Sequence, residues 1–255
     1  MEKEHANRRT GDKIAISGDY QYNAFYHGSA LQRYWHRFKL ATAIKNLDPK
    51  DGDQVLDAGC GSGILSALIA SPFVWVTGLD GNPDAIAFCR QKWGHLPNTR
   101  YLLGPIDHLR QFADNSFDGI AFLEVVEHLT GAQAANVISE FHRILKPAGV
   151  LVLSTPNRKS PWPLLEKVMD LLHLAPNQGR EQHEKLYSGR ELEALARSAG
   201  LIPVKRQRIN FIAPWLAAVS KKWAEKMHAW ESRQHHLPGC LLVYTFIKPA
   251  GRPNP

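Results

Sequence analysis

The sequence feature that most restricts the fold is a glycine-rich turn, Gly59-Cys60-Gly61-Ser62-Gly63, between two apolar stretches. Val55 and Leu56 precede this turn and indicate the end of a buried strand, whereas a helix is expected from Ile64 onward. Three glycines in five positions let the main chain approach a ligand closely, because no Cβ stands in the way. The following helix offers unpaired N–H groups to a polar ligand group. The pattern predicts a strand–loop–helix unit, although such a turn serves dinucleotides, phosphates or no ligand at all.

A carboxylate follows this turn at a distance that suits a nucleoside. Residues 73–79 form a second apolar run, and Asp80 comes directly after it. An acid about 20 residues beyond a glycine loop is placed to accept hydrogen bonds from both hydroxyls of a ribose. The dinucleotide fingerprint has its last glycine where Ile64 stands in this chain. A ribose-bearing ligand is therefore expected, with a loop that departs from the dinucleotide pattern.

These residues resemble the motifs of a known enzyme family. Residues 57–63, taken with Gly78-Leu79-Asp80, are similar to the first two motifs of the class I S-adenosylmethionine (SAM) methyltransferases. The resemblance continues through Ser116-Phe117-Asp118, Glu127-His128 and residues 145–149, in the family's order. Among subfamilies, the motifs are most similar to those of the ubiquinone-biosynthesis O-methyltransferases. The resemblance implies SAM as the cofactor and S-adenosylhomocysteine as its product.

The resemblance also implies which residues contact the cofactor. Asp80 would hold the ribose, and an arginine of the helix before the first strand, Arg33 or Arg37, would meet the SAM carboxylate unless it is an ordinary surface residue. Pro105 stands where related enzymes often carry an acid, so a contact between Asp107 and the adenine is left open. The expected cofactor set is Asp57, Gly59, Gly61, Gly63, Asp80, Gly81, Asn82, Ile106, Asp107, Leu123 and Arg33.

Strand and helix signals alternate along the chain, which predicts an α/β fold with a parallel sheet between two layers of helices. The resemblance specifies this as a Rossmann-like, seven-stranded, mostly parallel sheet whose last strand is antiparallel. We expect a flexible tail over residues 1–18 and a single methyltransferase domain over residues 19–255. Within that domain, residues 19–48 would form an N-terminal cap helix. Two insertions, residues 160–190 and 211–238, would lie on the substrate side.

The second insertion carries an unusual combination of tryptophans and lysines. Residues 214–233 place Leu216, Val219, Trp223 and Met227 at helical spacing, which predicts one amphipathic helix. A basic amphipathic helix with tryptophans suits a membrane interface. The same helix could instead cover a greasy substrate or pack on its own domain.

Acidic and imidazole side chains cluster after the fourth predicted strand. If this segment is an α-helix, Glu124, Glu127 and His128 share one face, because residues three and four apart are neighbours. Together with the distant His183, they resemble the metal-binding quartet of the ubiquinone O-methyltransferases and of the small-RNA 2′-O-methyltransferases. The donor set would suit Mg²⁺, Mn²⁺, Fe²⁺ or Zn²⁺. Without a metal, His128 or His183 would serve as a general base.

Bulk properties restrict the cellular setting only partly. The chain has 255 residues, a net charge of +7 and three cysteines that are far apart in sequence. An odd number of scattered cysteines indicates reduced thiols and a cytoplasmic location. The positive charge favours acidic partners, nucleic acid or an anionic membrane surface, without choosing among them. We expect a monomer or a homodimer, with peripheral membrane contact through residues 211–238 as one possibility and no preference for nucleic acid.

The favoured function is therefore methyl transfer from SAM to a hydroxyl oxygen of a hydrophobic small molecule of phenol or quinol type. Its catalytic residues would be His128, Glu127 and His183, with or without a divalent metal. Alternatives are an RNA 2′-O-methyltransferase, a metal-independent small-molecule methyltransferase that uses His128 as base, and a catalytically silent binding protein on the same scaffold.

Overall fold

The computed structural model describes residues 17–160, 184–234 and 237–250. The strands are β1 Gln54–Ala58, β2 Trp75–Asp80, β3 Thr99–Leu103, β4 Phe117–Leu123, β5 Leu145–Pro156, β6 Ile202–Ile209 and β7 Leu241–Ile247. The helices are α1 Tyr20–Tyr26, α2 Ala30–Leu47, α3 Ile64–Ile69, α4 Pro83–Trp93, α5 Gly131–Ile144, α6 Gly189–Ser198, α7 Ala213–Leu216 and α8 Lys221–Glu231. Each of these helices is too short or too polar to traverse a bilayer.

The described strands form one seven-stranded sheet in the order β3-β2-β1-β4-β5-β7-β6. β1 to β5 are parallel, and β7 runs antiparallel to both β5 and β6. Asp57 of β1 lies beside Gly78 of β2, and Leu123 of β4 lies beside Ser154 of β5. The carboxyl ends of β1, β2 and β4 therefore open onto one edge of the sheet. The predicted Rossmann-like fold is confirmed.

The sheet is covered by helices whose apolar residues follow the helical period. In α5, Ala134, Val137, Ile138, Phe141 and Ile144 are all fully buried, which is the three-and-four spacing of a single face. The rings of Phe122 and Phe141 meet edge to face with centroids 5.0 Å apart. This packing fixes β4, and with it the segment that follows β4 at the site.

Two helices begin with capping boxes. Ser29 Oγ accepts a hydrogen bond from Gln32 N at 3.2 Å, and Gln32 Oε1 accepts one from Ser29 N at 2.9 Å. Ser188 and Glu191 form the same reciprocal pair at the start of α6. Each box satisfies N–H groups that a helix start leaves unpaired. α2, which the first box begins, passes over the sheet edge that carries the site.

Two motifs of the predicted family lie away from that edge and have a structural role. Lys146 Nζ lies 2.7 Å from Asp118 Oδ2, and the same carboxylate oxygen accepts a hydrogen bond from Gln54 N at 2.8 Å. These contacts join the amino ends of β1 and β4 to β5. Asp118 and Lys146 therefore tie strands together at the far end of the sheet.

The predicted single helix over residues 214–233 is wrong. The chain forms two helices, α7 and α8, and Ser220 begins the second by accepting a hydrogen bond from Trp223 N at 3.4 Å. The predicted apolar stripe is divided as well. Leu216 and Met227 pack against the core, whereas Val219 is 87% exposed and Trp223 is 64% exposed. The break turns these two residues outward.

Candidate active site

The glycine-rich loop after β1 is held against β2 by its backbone. Gly59 N and Cys60 N both donate to the carbonyl oxygen of Leu79, at 2.7 and 3.1 Å. Gly59 has φ of +78°, and a Cβ at this position would lie 2.4 Å from Val125 Cγ2. Gly61 has φ of +50°. A side chain at either position would be strained, so the loop can approach a ligand only as glycine.

Asp80 lies at the carboxyl end of β2, directly across from the loop. Its Oδ2 accepts a hydrogen bond from Gly61 N at 2.8 Å, and its Oδ1 accepts one from Asn82 N at 2.8 Å. Burial raises the pKa of this carboxyl, and the hydrogen bonds from Asn82 and Gly61 act in the opposite direction. The carboxylate is thus held in one orientation with lone pairs still facing the cavity.

A cavity lies over this edge of the sheet, with Asp80 in one wall and His128 in another. Ser62 also lines it, and its buried hydroxyl has no hydrogen-bond partner within the described part of the chain. The cavity thus contains the Asp80 carboxylate, which can accept further hydrogen bonds, and the unpaired Ser62 hydroxyl. The two glycines of the loop allow a ligand to approach the main chain. These features fit a nucleoside ligand. The predicted cofactor residues that line the cavity are Gly59, Gly61, Asp80, Gly81, Asn82, Ile106 and Leu123.

The other four predicted cofactor residues lie elsewhere. Asp57 is buried under the loop, where it accepts hydrogen bonds from Ser66 N and Oγ, and burial raises its pKa to about 6. Gly63 begins α3. Asp107 is exposed, and Arg33 donates to the carbonyl oxygen of Gly28 at 2.6 Å. These four belong to the framework or the surface, not to the wall of the cavity.

The chain before α2 contributes a wall that the sequence analysis missed. Ser17 and Gly18, which were assigned to a flexible tail, line the cavity together with Gln21 of α1. Gln21 Oε1 accepts a hydrogen bond from Ser62 N at 3.2 Å across 41 positions of sequence. Local pattern carries no signal for such a distant contact. The rest of the predicted tail lies outside the described residues.

The segment after β4 does not form the predicted α-helix. Val126–His128 is a single 3₁₀ turn, and Glu124 precedes it with φ of +55°. Glu124 and His128 line the cavity, whereas Glu127 is only 1% exposed and accepts a hydrogen bond from Thr155 Oγ1 at 3.0 Å. The three side chains therefore do not share one helical face.

Glu124 is paired with a buried lysine of α2. The ammonium of Lys39 contacts Glu124 Oε2, with side chains that are 5% and 26% exposed respectively. Burial alone would raise the pKa of Glu124, but Lys39 and then His36 more than offset this and the pKa lies below its usual value. A resident cation is therefore already present beside this carboxylate.

The described members of the predicted metal quartet do not fit a metal ion. Burial, and then the charge of Glu124, raises the pKa of Glu127 to about 8. One carboxylate is thus neutral at pH 7 and the other is occupied by Lys39. Within residues 17–160, 184–234 and 237–250, no group of three or more His, Cys, Asp or Glu side chains could hold a metal ion. His183 lies outside those residues.

The raised pKa of Glu127 predicts a pH-dependent stability. Glu127 keeps its proton in the folded state, whereas the unfolded chain releases it above pH 4.5. The contribution of this proton to the free energy of unfolding is therefore complete below pH 4.5 and is lost as the pH rises towards 8. The lowered pKa values of His36 and His228, and the raised pKa of Asp57, affect stability only below pH 6.5. Between pH 6.5 and about 7.5, stability should fall as the pH rises, by at most the contribution of one proton, roughly 1 kcal/mol per pH unit. Urea unfolding should show this slope in the wild type and a flatter one in Glu127→Gln. Equal slopes would contradict the assignment.

Comparisons with known proteins show the family to which the chain belongs. A sequence profile described as "Methyltransferase domain" matches residues 56–153. The chain belongs to the SAM-dependent methyltransferase family, and SAM is the cofactor that this membership implies. A "Ubiquinone biosynthesis O-methyltransferase" from Hydrogenovibrio crunogenus is 31% identical over 175 residues, which are 66% of this chain and 70% of that protein. A "Probable S-adenosylmethionine-dependent methyltransferase" from Mycolicibacterium smegmatis is 32% identical over 203 residues, 74% of this chain and 77% of that protein.

The fold comparison extends over nearly the whole chain. The crystal structure of a SAM-dependent methyltransferase from Archaeoglobus fulgidus has a TM-score of 0.62 with this chain at 20% sequence identity. The match covers 90% of this chain and 99% of the Archaeoglobus fulgidus chain. At this identity the likeness supports the fold alone.

Proposed function

We propose that this enzyme methylates a hydroxyl oxygen of a hydrophobic small molecule of phenol or quinol type. The observation that carries the proposal is that His128 lines the same cavity as Asp80 and the glycine-rich loop. The proposed base and the proposed nucleoside site would thus share one cavity. The relatives named ubiquinone biosynthesis O-methyltransferases support oxygen as the acceptor atom and a quinol-like acceptor.

The cofactor would be held by residues with fixed geometry. Asp80 would accept hydrogen bonds from the ribose hydroxyls, because Gly61 N and Asn82 N already orient its oxygens. Ile106 and Leu123 would enclose the nucleoside with apolar surface. When bound, SAM supplies an activated methyl group on a sulfonium. The protein's contribution is then mainly to position the acceptor, which can lower a barrier by several kcal/mol, about 7–11 in the most favourable cases.

His128 is the proposed general base. Its side chain is half-buried at the cavity wall, and histidine is the side chain that most often serves as a general base in enzymes. It would take the proton of the acceptor hydroxyl and leave an oxyanion. Glu127 would support the turn that carries His128 through its contact with Thr155. His183, outside the described residues, is a second candidate for the same role. Because Glu124 and Glu127 do not fit a metal, no step of this mechanism passes through one.

The test is transfer of labelled methyl from SAM to a panel of short-chain prenylated catechols and quinols. The wild type should yield methyl ethers, and a chelator should leave turnover unchanged. His128→Ala should lower kcat about 100-fold or more, as expected for loss of a general base, while S-adenosylhomocysteine affinity stays near that of the wild type. His95→Ala, at an exposed position, is the matched control. Methylation at carbon or nitrogen, or an unaltered kcat in His128→Ala, would contradict the proposal.

A further inference from the structure

One exposed surface of this protein combines large apolar side chains with lysines. It consists of Trp215, Val219, Trp223 and Trp230, which are 41%, 87%, 64% and 48% exposed, and the neighbouring Lys221, Lys222 and Lys226. We name these seven residues the tryptophan–lysine surface. Exposed single apolar residues are common in proteins, but a group of this size indicates an interaction site.

The helices beneath the tryptophan–lysine surface are firmly anchored. In α8, Ala224 and Glu231 are fully buried, and Glu231 accepts a hydrogen bond from Ala213 N at 3.1 Å. Leu216 and Met227 pack against the cluster that contains Tyr34 and Phe38 of α2. The inner face of α8 thus has its partners within the domain. The exposed tryptophans Trp215, Trp223 and Trp230 do not take part in that packing.

Two of the outward residues, Trp223 and Trp230, lie along one line of α8. Trp223 and Trp230 are seven residues apart, which is two helical turns, so their side chains leave the helix in nearly the same direction. Lys226 lies between them, with its Nζ 5.4 Å from the centroid of the Trp223 ring. Val219, in the turn before α8, is the most exposed of the four apolar residues. The Lys226 ammonium group therefore borders the Trp223 ring, whereas Lys221 Nζ lies 3.9 Å from Glu225 Oε1.

We propose that the tryptophan–lysine surface binds an anionic lipid membrane. Tryptophans favour the boundary between headgroups and acyl chains, where an amphipathic ring meets both water and lipid. Lysines next to them are attracted to anionic headgroups. The chain's net charge of +7 adds a long-range attraction to the same partner. Charge complementarity thus selects an acidic lipid surface over a neutral one or a second copy of this basic chain.

This inference does not depend on the proposed methyl transfer, since membrane binding is measured without cofactor or acceptor. The two are linked in structure, however. α8 packs on α2, and α2 carries Lys39, whose ammonium contacts Glu124 at the cavity wall. The tryptophan–lysine surface is therefore separated from the cavity by one helix, α2.

The experiment is co-sedimentation of the full-length protein with vesicles of phosphatidylcholine alone or mixed with phosphatidylglycerol. The wild type should bind the mixed vesicles and remain in solution with the neutral ones. The triple variant Lys221→Gln, Lys222→Gln, Lys226→Gln should bind on the order of 100-fold more weakly, because each lysine near an anionic surface contributes several-fold. Val219→Ser combined with Trp223→Ser should lower binding at least tenfold and leave its salt dependence in place.

Trp75→Ser is the matched control, because Trp75 of β2 is 52% exposed and lies outside the tryptophan–lysine surface. It should bind like the wild type. Wild-type binding to both vesicle types alike, or equal binding by all variants, would overturn the proposal. So would sedimentation equilibrium showing a dimer that Val219→Ser with Trp223→Ser dissociates, since the surface would then join two copies of the chain.

Discussion

Asp80→Ala is expected to lower the affinity for S-adenosylhomocysteine roughly 100-fold or more. Hydrogen bonds to a charged group contribute about 1.5–3 kcal/mol each, and the ribose would lose two of them. The loop would lose a contact as well, because Asp80 accepts a hydrogen bond from Gly61 N. Isothermal titration calorimetry measures the change directly, with circular dichroism to confirm that the variant is folded.

Two further variants make this result specific. Asp84→Ala removes an exposed carboxylate four residues away and should leave affinity unchanged. Asp80→Asn keeps one acceptor oxygen and should fall between the wild type and Asp80→Ala. If Asp80→Ala is folded and binds like the wild type, the carboxylate does not hold the nucleoside, and the assignment of the cavity is wrong.

Lys39→Met is expected to destabilise the fold by about 3–5 kcal/mol, because it leaves the carboxylate of Glu124 without its buried partner. The Lys39 side chain is 5% exposed, so water cannot replace the lost ammonium easily. Urea unfolding at pH 7 gives the free energy of unfolding. Lys50→Met is the matched control, since Lys50 pairs with Asp48 where both side chains are about two-thirds exposed, at 67% and 72%. Such a surface pair contributes at most about 1 kcal/mol.

A double-mutant cycle separates the ion pair from simple packing. Glu124→Gln removes the charge that Lys39 neutralises, so Lys39→Met together with Glu124→Gln should recover much of the stability lost by Lys39→Met alone. If the two losses simply add, Lys39 acts through its alkyl chain and not as a resident cation. The metal question then reopens, because Glu124 would be available as a ligand.

The fold and the nucleoside side of the site could be predicted because their signals are local. The glycine-rich loop, Asp80 and the Ser29 and Ser188 capping boxes each lie within a few residues of the structure they determine. α4 likewise begins at Pro83, a residue favoured in the first turn of a helix, with Asn82 as its N-cap. In such segments, turn chemistry and periodicity agree with the tertiary fold.

The catalytic part of the site could not be predicted as well as the nucleoside part, because its contacts join residues that are far apart in the sequence. Lys39 and Glu124 are 85 positions apart, and no spacing rule connects them. The segment after β4 is too short for periodicity to distinguish an α-helix from a 3₁₀ turn. The assumption of an α-helix placed Glu124, Glu127 and His128 on one face, whereas the segment forms a 3₁₀ turn in which Glu127 is buried away from the cavity. At the break between α7 and α8 a signal did exist, since Ser220 is a favourable N-cap residue.

The central claim is that the cavity between the glycine-rich loop and His128 holds the cofactor through Asp80. A crystal structure of the protein with S-adenosylhomocysteine tests it most directly. We expect both ribose hydroxyls to lie within hydrogen-bond distance of the Asp80 carboxylate, about 2.5–3.0 Å, with the sulfur on the His128 side of the cavity. A nucleoside bound elsewhere, or a ribose that leaves Asp80 in contact with Gly61 and Asn82 alone, would contradict the account.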